Sequence, residues 1–488
     1  MLIRSNPFVL PMNLVLVAAL ASISAGAQHE APSLSGTALG GGNLARAADG
    51  LPVCGLGAEF HAGRRAALAE RLGAGVLVLR GMPNTRGNET FRQDKNFWYL
   101  TGIESPNVSF VLDIATGREV LFVSRPSLQR EQWEGEIWDT DDEWVRSVTG
   151  IEDLRESRDL LDVVEEFAGE EGPVWTVQAP WVTLSGAYDS AGPYIQRRER
   201  DPLDGRLSRE KTLAAKLAEH FDVPVKDATP DLYYLRVTKT PLEIAAMERA
   251  ARAGALALVE AIRSTRPGLG EWELDALMSW VQQRHGASGP AYAAIVGSGV
   301  NALVLHYNTL NRRMRAGEMV LADFGPEVDH YTTDITRTWP VNGEFSERQA
   351  ELYDAVLAAQ AAGIAAAKPG SSLRAVNAAC SEVLIERGFQ KLIVHGAVHW
   401  IGMEVHDPGK RRPLEPGMAF TVEPGLYEVA TGIGIRIEDV VVITEDGCRV
   451  ISGDCPKDRA SIEELVKEQG VLDILDGKAA AMNEVESK

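Results

Sequence analysis

Four acidic residues interrupt segments that otherwise have the apolar composition of buried strands: Asp323, Asp334, Glu423 and Glu438. Burying a carboxylate without a partner is costly, and several carboxylates in one cavity repel one another. A single acid of this kind can equally be an exposed or ion-paired strand residue, but four converging acids need positive charge. Two divalent cations would balance them, and such a pair can activate water. The pattern therefore favours a metal-dependent hydrolytic site, provided that the acids meet in the fold.

Histidines strengthen this interpretation. Of nine histidines, three lie in the glycine-containing segment 395–407, namely His395, His399 and His406, and His306 lies upstream. A lone histidine is more often a core or surface residue, so the argument depends on the cluster. One histidine among carboxylates gives an oxygen-rich site, which favours manganese or a similar hard divalent ion over a sulfur-bound zinc ion.

Alternation along a strand indicates how the acids can share a face. In the segment around Glu438, Arg436 and Glu438 point to one side of the predicted strand, while Ile435 and Ile437 pack on the other. We therefore expect the polar side chains of this segment to face a cleft.

The elements that must position these residues form two α/β regions, with a break near residues 222–230. Apolar spacing predicts helices at Arg64–Leu72, after Pro241, at Glu271–Gln283, at Glu347–Ala367 with Ser346 as N-cap, and at Leu373–Arg387. Short apolar runs predict strands at Gly75–Leu79, Phe97–Leu100, Ser109–Asp113, Tyr292–Val296, Met319–Phe324, Tyr331–Thr336, Met418–Val422 and Ile435–Ile443.

Composition limits the function classes. The 488 residues carry a formal net charge of -20, which repels phosphate backbones and argues against a nucleic-acid partner. Four cysteines are too few for a disulfide scaffold, and none has zinc-ribbon spacing. Only Cys448 and Cys455 are close in sequence, and the sequence leaves open whether they pair or stay unpaired.

The N-terminus predicts export. Arg4 precedes an apolar run over Leu14–Ala21, and Ala25–Ala27 has the small-residue pattern of a cleavage site. We therefore predict a signal peptide over residues 1–27, cleaved after Ala27, and a flexible leader over residues 28–55. The alternative is a buried N-terminal helix. The predicted mature protein is periplasmic or secreted, with no membrane-spanning segment.

The ordered set Asp323, Asp334, His399, Glu423 and Glu438 resembles the five-ligand pattern of the pita-bread (M24-type) metallopeptidases, which include methionine aminopeptidase, aminopeptidase P and prolidase. Within this family the sequence is most similar to the aminopeptidase P group. The similarity lies in the strings at residues 88–94, 97–102, 305–307, 336–340, 399–407 and 434–439. Met403 and Glu404 depart from it, because a Leu-Asp-like pair is expected there.

The resemblance implies the fold. It predicts an α/β (α+β) protein with a creatinase-like N-terminal α/β domain over residues 56–228 and a C-terminal pita-bread catalytic domain over residues 229–470. A polar tail is predicted over residues 471–488. Relatives often form dimers or tetramers, so the resemblance also implies a homo-oligomer.

The resemblance further implies a role for each residue of the site. Asp323 should bind one divalent ion, His399 and Glu423 the other, and Asp334 and Glu438 both, with a hydroxide between the ions as nucleophile. Manganese is the expected metal. Glu423 is the implied general base. The other implied roles are hydrogen bonding to the substrate carbonyl by His306 and His406, orientation of the carboxylates by Arg436, and lining of the substrate pocket by Tyr292 and His395.

The function implied is that of an Xaa-Pro aminopeptidase, which removes the first residue of proline-containing peptides when proline is second. Two alternatives stay open. One is a prolidase, which cleaves only Xaa-Pro dipeptides. The other is a non-catalytic peptide- or protein-binding homologue, for which the loss of ligand residues would be the sequence sign.

Overall fold

The computed structural model describes residues 45–46, 52–85, 90–125, 127–135, 137–168, 172–182, 186–409 and 412–477. The predicted signal peptide lies outside the described residues, as do most of the predicted leader and residues 478–488 of the predicted tail. Among the helices that are described, none has both the length and the apolar character needed to cross a bilayer.

Helices and strands occur in both halves of the described chain. The helices are α1 Ala58–Leu72, α2 Lys95–Thr101, α3 Leu128–Glu134, α4 Glu143–Thr149, α5 Leu160–Ala168, α6 Tyr188–Arg200, α7 Arg209–Phe221, α8 Thr229–Val237, α9 Pro241–Ser264, α10 Glu271–Arg284, α11 Glu347–Ala366, α12 Leu373–Glu386 and α13 Arg459–Lys467. The strands are β1 Ala45–Arg46, β2 Pro52–Val53, β3 Val76–Arg80, β4 Ser109–Asp113, β5 Glu119–Val123, β6 Asp153–Glu156, β7 Val174–Thr176, β8 Val225–Asp227, β9 Gly289–Pro290, β10 Ile295–Ser298, β11 Met319–Phe324, β12 Pro326–Val328, β13 Tyr331–Thr332, β14 Ile335–Pro340, β15 Ala419–Val422, β16 Gly425–Glu428, β17 Ile433–Arg436, β18 Asp439–Ile443 and β19 Cys448–Val450.

The N-terminal half is built on a mixed six-stranded sheet with the order β6-β5-β4-β3-β7-β8. Side chains alternate between its two faces. Val76 and Val78 of β3 pack under helices α5 and α7, whereas Leu77 and Leu79 face a second cluster that includes residues of the catalytic half. The sheet is therefore covered on both sides, which agrees with the α/β fold predicted for this half.

The strand predicted at Phe97–Leu100 is wrong, because these residues lie in helix α2. All seven residues of α2 are buried, so the apolar run carries no helical periodicity that the sequence could reveal. The ends of the helix determine the outcome. The Asp94 carboxylate accepts a hydrogen bond from the Phe97 amide at 2.8 Å, and Gly102 adopts the left-handed conformation that ends a helix.

The long helices of the catalytic half agree with the prediction. Helix α9 begins with a capping box formed by Thr240 and Glu243. At the start of α11 the Ser346 hydroxyl accepts a hydrogen bond from the Gln349 amide, as the N-cap prediction requires. Both helices cover strands that carry the predicted site.

Two predicted strands of the catalytic half are interrupted where their acids lie. The segment 331–336 divides into β13 and β14 with Asp334 between them, and 435–443 divides into β17 and β18 with Glu438 between them. Strand β11 pairs with β14 so that Asp323 lies opposite Thr336. Because a break in the ladder frees a side chain from strict alternation, both acids can turn toward the same point as Asp323.

The first part of the predicted polar tail is ordered and packs on the catalytic half. Residues 471–477, which we predicted as tail, are helical, and the Val471 amide donates a hydrogen bond to Glu260 at 2.6 Å. Val471 and Leu472 also pack against the core of the catalytic half.

The sequence left open whether Cys448 and Cys455 pair. Both are unpaired in the structure, as are the other two cysteines.

A network of buried charges joins the two halves. The guanidinium of Arg236, on α8, donates to Asn96 of α2 at 2.7 Å, to Asp407 at 2.5 Å and to Glu404 at 3.1 Å. Lys239 lies 3.3 Å from the other oxygen of Asp407. Glu404 is one of the two residues that depart from the expected family pattern, and Arg236 binds one of its carboxylate oxygens. Arg236 therefore fixes the segment 404–407 against the N-terminal half.

Replacing Arg236 by alanine is expected to lower the free energy of unfolding by about 3–5 kcal/mol, because it leaves buried carboxylates without a counter-charge. Urea unfolding followed by circular dichroism measures this change. Arg71→Ala is the matched control, because Arg71 pairs with Asp231 on the same helix α8 at a partly exposed site. That variant should lose no more than about 1 kcal/mol. An equal loss of unfolding free energy in both variants would contradict the claim that the buried network stabilises the fold more than an exposed ion pair does.

Candidate metal centre

The five predicted metal ligands converge. Asp323 lies at the end of β11, Asp334 and Glu438 at the two strand breaks, Glu423 directly after β15, and His399 in the loop before β15. The ligand atoms of Asp334, His399 and Glu438 lie within 4.8 Å of one another. The sequence left open whether these distant acids meet in the fold, and in the structure they do.

His399 occupies the middle of the cluster. Its Nε2 lies 3.5 Å from Asp334 Oδ2, 3.7 Å from Glu423 Oε1 and 3.7 Å from Glu438 Oε1. Its Nδ1 lies 3.1 Å from the Trp400 carbonyl, to which an Nδ1–H group can donate. Burial alone would lower the pKa of His399, but the surrounding carboxylates raise it well above its usual range.

The acids are in an environment that disfavours several negative charges. Burial, followed by the charge of Glu438, raises the pKa of Glu423 to about 8. Burial, Glu438 and Asp323 raise the pKa of Asp334 well above its usual range. Burial also acts on Glu438, but His399 and Arg436 outweigh it, so that its pKa is lowered. Without added positive charge, burial and mutual repulsion therefore favour the protonated forms of Glu423 and Asp334.

Arg436 organises one side of the site. Its Nη2 donates to Asp323 Oδ2 at 2.5 Å, its Nε to the Thr336 hydroxyl at 3.1 Å and its Nη1 to the Tyr427 hydroxyl at 2.9 Å. Thr336 in turn donates to Glu438 Oε2 at 2.7 Å. A single guanidinium thereby holds two carboxylates in place, one directly and one through a hydroxyl group.

Tyr292 and His395 both lie at the site, as predicted for the substrate pocket. The Tyr292 hydroxyl contacts Oδ1 of Asp323 and lies 2.5 Å from Oδ1 of Asp334. His395 Nε2 lies 2.9 Å from the Tyr427 hydroxyl, and its Nδ1 lies 3.8 Å from Glu423 Oε2. Burial, followed by the Arg436 charge, lowers the pKa of His395.

A glycine is required beside Tyr292. A β-carbon at Gly325 would lie 1.9 Å from the Thr333 carbonyl oxygen and 2.8 Å from the Tyr292 ring. No side chain fits in this space, so Gly325 allows β11 and the turn before Asp334 to approach each other.

The two predicted substrate-binding histidines differ in placement. The ring of His406 stacks on that of His399, with centroids 4.0 Å apart. His306 lies in an exposed turn, and no hydrogen bond or ion pair among the described residues joins it to the other predicted site residues. Its neighbour Leu305 packs against a small apolar cluster that includes Tyr427, which places the turn near the site.

Sequence reasoning missed three functional neighbours: Tyr427, Asp189 and the Arg236 network around Asp407. Tyr427 follows Glu423 by four residues on β16, but a tyrosine in a strand is ordinary and gives no distinct signal. Asp189 contacts His406 from a separate helix, and no local pattern could have indicated that contact.

The donor set fits divalent cations. Four carboxylates and one imidazole are the ligands that a hard divalent ion prefers. Oε1 of Glu438 is buried and makes no hydrogen bond, so it is free to bind a cation. Sulfur ligands are absent from the cluster.

A two-half α/β fold that brings four carboxylates and a histidine together defines a metal-dependent hydrolase. A family model described as metallopeptidase family M24 matches residues 245–445, and one described as the aminopeptidase P N-terminal domain matches residues 61–175. The chain belongs to the M24 metallopeptidase family and is a metallo-aminopeptidase of the aminopeptidase P type. This goes against the alternative of a non-catalytic homologue.

The chain is similar to named relatives and solved structures over most of its length. The Xaa-Pro aminopeptidase of Escherichia coli K12 is 32% identical over 442 residues, covering 83% of this chain and 96% of the relative. Human Xaa-Pro aminopeptidase 3 is 33% identical over 428 residues, covering 80% of each chain. The E. coli aminopeptidase P structure with the inhibitor Pro-Leu has a TM-score of 0.70 at 30% identity, covering 84% of this chain and 98% of that one. A putative aminopeptidase P from Bacillus anthracis gives a TM-score of 0.75 at 27% identity, covering 85% and 99%.

Proposed function

We propose that this metallo-aminopeptidase is an Xaa-Pro aminopeptidase that hydrolyses the first peptide bond of peptides with proline in second position. The observation that carries the proposal is the cluster of Asp334, His399, Glu423 and Glu438, with Asp323 joined to it through the Tyr292 hydroxyl. Relatives named Xaa-Pro aminopeptidase support the substrate class. The inhibitor Pro-Leu in one related structure supports it as well, because that dipeptide begins with proline.

We propose that these five residues hold two divalent ions, with manganese as the metal. When bound, the ions would supply Lewis-acid activation of the scissile carbonyl and of a water molecule. The number of ions is taken from the five-ligand pattern of the family, and the excess of four carboxylates over the guanidinium of Arg436 supports cation binding at the cluster.

The protein groups would then perform the remaining tasks. Glu423 accepts a proton from the attacking water and transfers it to the leaving proline nitrogen, a task suited to a carboxyl group whose pKa is raised by burial. His406 and His306 hydrogen-bond the substrate carbonyl, where negative charge develops in the transition state. Arg436 keeps Asp323 and Glu438 oriented through its contacts.

A panel of peptides tests the substrate class. We expect an Xaa-Pro-Yaa tripeptide to be cleaved at least about 10-fold faster, by kcat/KM, than both an Xaa-Ala-Yaa tripeptide and the dipeptide Xaa-Pro, since interactions with proline and with the residue after it would be lost. Activity should increase on adding manganese. Exclusive cleavage of the dipeptide would instead identify a prolidase, and equal cleavage of the alanine peptide would contradict proline selectivity.

We also propose, from the predicted signal peptide, that the protein acts in the periplasm or outside the cell, and, from the resemblance to the family, that it is a homo-oligomer. N-terminal sequencing of protein recovered from the periplasmic or culture fraction should begin at Gln28. A mature chain that retains Met1 in the cytoplasmic fraction would contradict the export proposal.

A further inference from the structure

His406 is held by a residue far away in the chain. Its Nδ1 lies 2.6 Å from Oδ2 of Asp189, which is in the first turn of helix α6. The Asp189 side chain is 54% exposed and that of His406 37%, so the pair lies at the mouth of the site rather than in the core. Its position beside the catalytic cluster suggests a role beyond surface charge.

The start of helix α6 is fixed to the same loop at further points. The Tyr188 amide donates to the His406 carbonyl oxygen at 3.3 Å. The Tyr188 ring also packs edge to face against Tyr233 of α8, with centroids 5.3 Å apart. These contacts hold the Asp189 carboxylate beside Nδ1 of the imidazole, so that the position of the acid is set by the fold.

The backbone around His406 is fixed from the opposite side. Asp407 is bound by Arg236 and Lys239, and it also accepts a hydrogen bond from the Glu404 amide at 3.3 Å. With the backbone held, rotation of the imidazole is the main freedom that remains. A hydrogen bond from Nδ1–H to Asp189 prevents this rotation. Nε2 is then the ring nitrogen that is available to the substrate.

We propose that Asp189 is a positioning residue for His406, which makes helix α6 part of the active site. Asp189 orients the imidazole so that its protonated form can donate a hydrogen bond from Nε2–H to the substrate carbonyl. The inference rests on the proposed function, in which His406 contacts the substrate. It predicts that loss of the Asp189 carboxylate lowers the rate of the chemical step more than it weakens substrate binding.

The test is a set of substitutions at Asp189, assayed on an Xaa-Pro-Yaa tripeptide at saturating manganese. Asp189→Ala should lower kcat about 10-fold with KM changed less than about twofold, since the pair is partly exposed. Asp189→Glu should restore a large part of the loss. Glu199→Gln is the matched control, because Glu199 lies near the other end of α6, where it pairs with Lys211. It removes a negative charge from the same helix and should leave kcat and KM unchanged.

A double variant distinguishes this proposal from the proposed function. If Asp189 acts through His406, Asp189→Ala should cause no further loss of kcat in a His406→Gln protein. Independent losses would overturn the positioning role. Near-normal kcat for His406→Gln alone would instead refute the role of His406 in the proposed function. If His406→Gln is impaired while Asp189→Ala matches the Glu199→Gln control, only the inference about Asp189 fails.

A spectroscopic measurement on the metal-free protein gives a readout that does not depend on turnover. With 15N-labelled histidine, the Nδ1–H resonance of His406, assigned by its absence in His406→Gln, should be observed in the wild-type protein and in Glu199→Gln. It should be lost or shifted by Asp189→Ala. An unchanged resonance in Asp189→Ala would show that Asp189 does not bind the Nδ1–H group. A fall of the thermal midpoint by more than a few degrees, with equal changes in kcat and KM, would show a structural role. Either result would overturn the proposal.

Discussion

Glu423→Gln is expected to lower kcat by about 10²–10⁴-fold while KM changes little, because the amide keeps the size of the side chain but accepts no proton. Steady-state kinetics on an Xaa-Pro-Yaa tripeptide at saturating manganese measure this effect. Glu423 is also a proposed metal ligand, so the metal content of the variant must be determined alongside. A variant that keeps its metal but loses turnover would establish the proton-transfer role.

The matched control for this experiment is Glu428→Gln. Glu428 is on the adjacent strand β16, where its carboxylate pairs with Arg348 outside the cluster. The same change of charge and shape there should leave kcat within about twofold of the wild-type value. Near-normal turnover of Glu423→Gln at saturating metal would refute Glu423 as the general base.

Removal of divalent ions by a chelator is expected to lower turnover by about 10³-fold or more, since the ions supply several kcal/mol of transition-state stabilisation. It should also lower the thermal midpoint, because ions that bind only the folded state stabilise it. The buried carboxylates and the unbonded oxygen of Glu438 supply the structural reason for both effects. Activity assays and thermal unfolding measure both effects in the chelated protein and again after dialysis against manganese.

Elemental analysis of the reconstituted protein is the second part of this test. Two ions per chain are expected, and Asp334→Asn should reduce that number, whereas Glu428→Gln should not. Turnover that survives complete chelation would refute a metal mechanism. A stoichiometry of one ion per chain would refute the dinuclear arrangement while leaving the family assignment intact.

Much of the site was predictable because its residues are exceptions to a strong pattern. An acid within an apolar strand is costly, so each of Asp323, Asp334, Glu423 and Glu438 needed an explanation, and their order along the chain matched a known family. The helices were predictable for a related reason: Pro241 and Ser346 mark their starts chemically, and long amphipathic segments have a clear period.

The remainder depended on tertiary contacts. The segment Phe97–Leu100 is buried on all sides, so its sequence could not distinguish helix from strand. The breaks at Asp334 and Glu438 follow from how neighbouring strands pair, and the contact between Asp189 and His406 joins residues that no local pattern relates. Such features follow from the packing of the whole chain rather than from any one segment.

The charge network between the two halves limits how the protein can be divided or recombined. Glu327 of the catalytic half is buried and meets Arg92 and Lys95 of the N-terminal half, while Arg236 spans both. A fragment retaining the catalytic half alone would leave the Glu327 carboxylate without its counter-ions. A chimera that grafts this half onto the N-terminal half of a relative would need cations at the same places. The two halves are therefore separate domains in sequence, but the stability of each depends on charges supplied by the other.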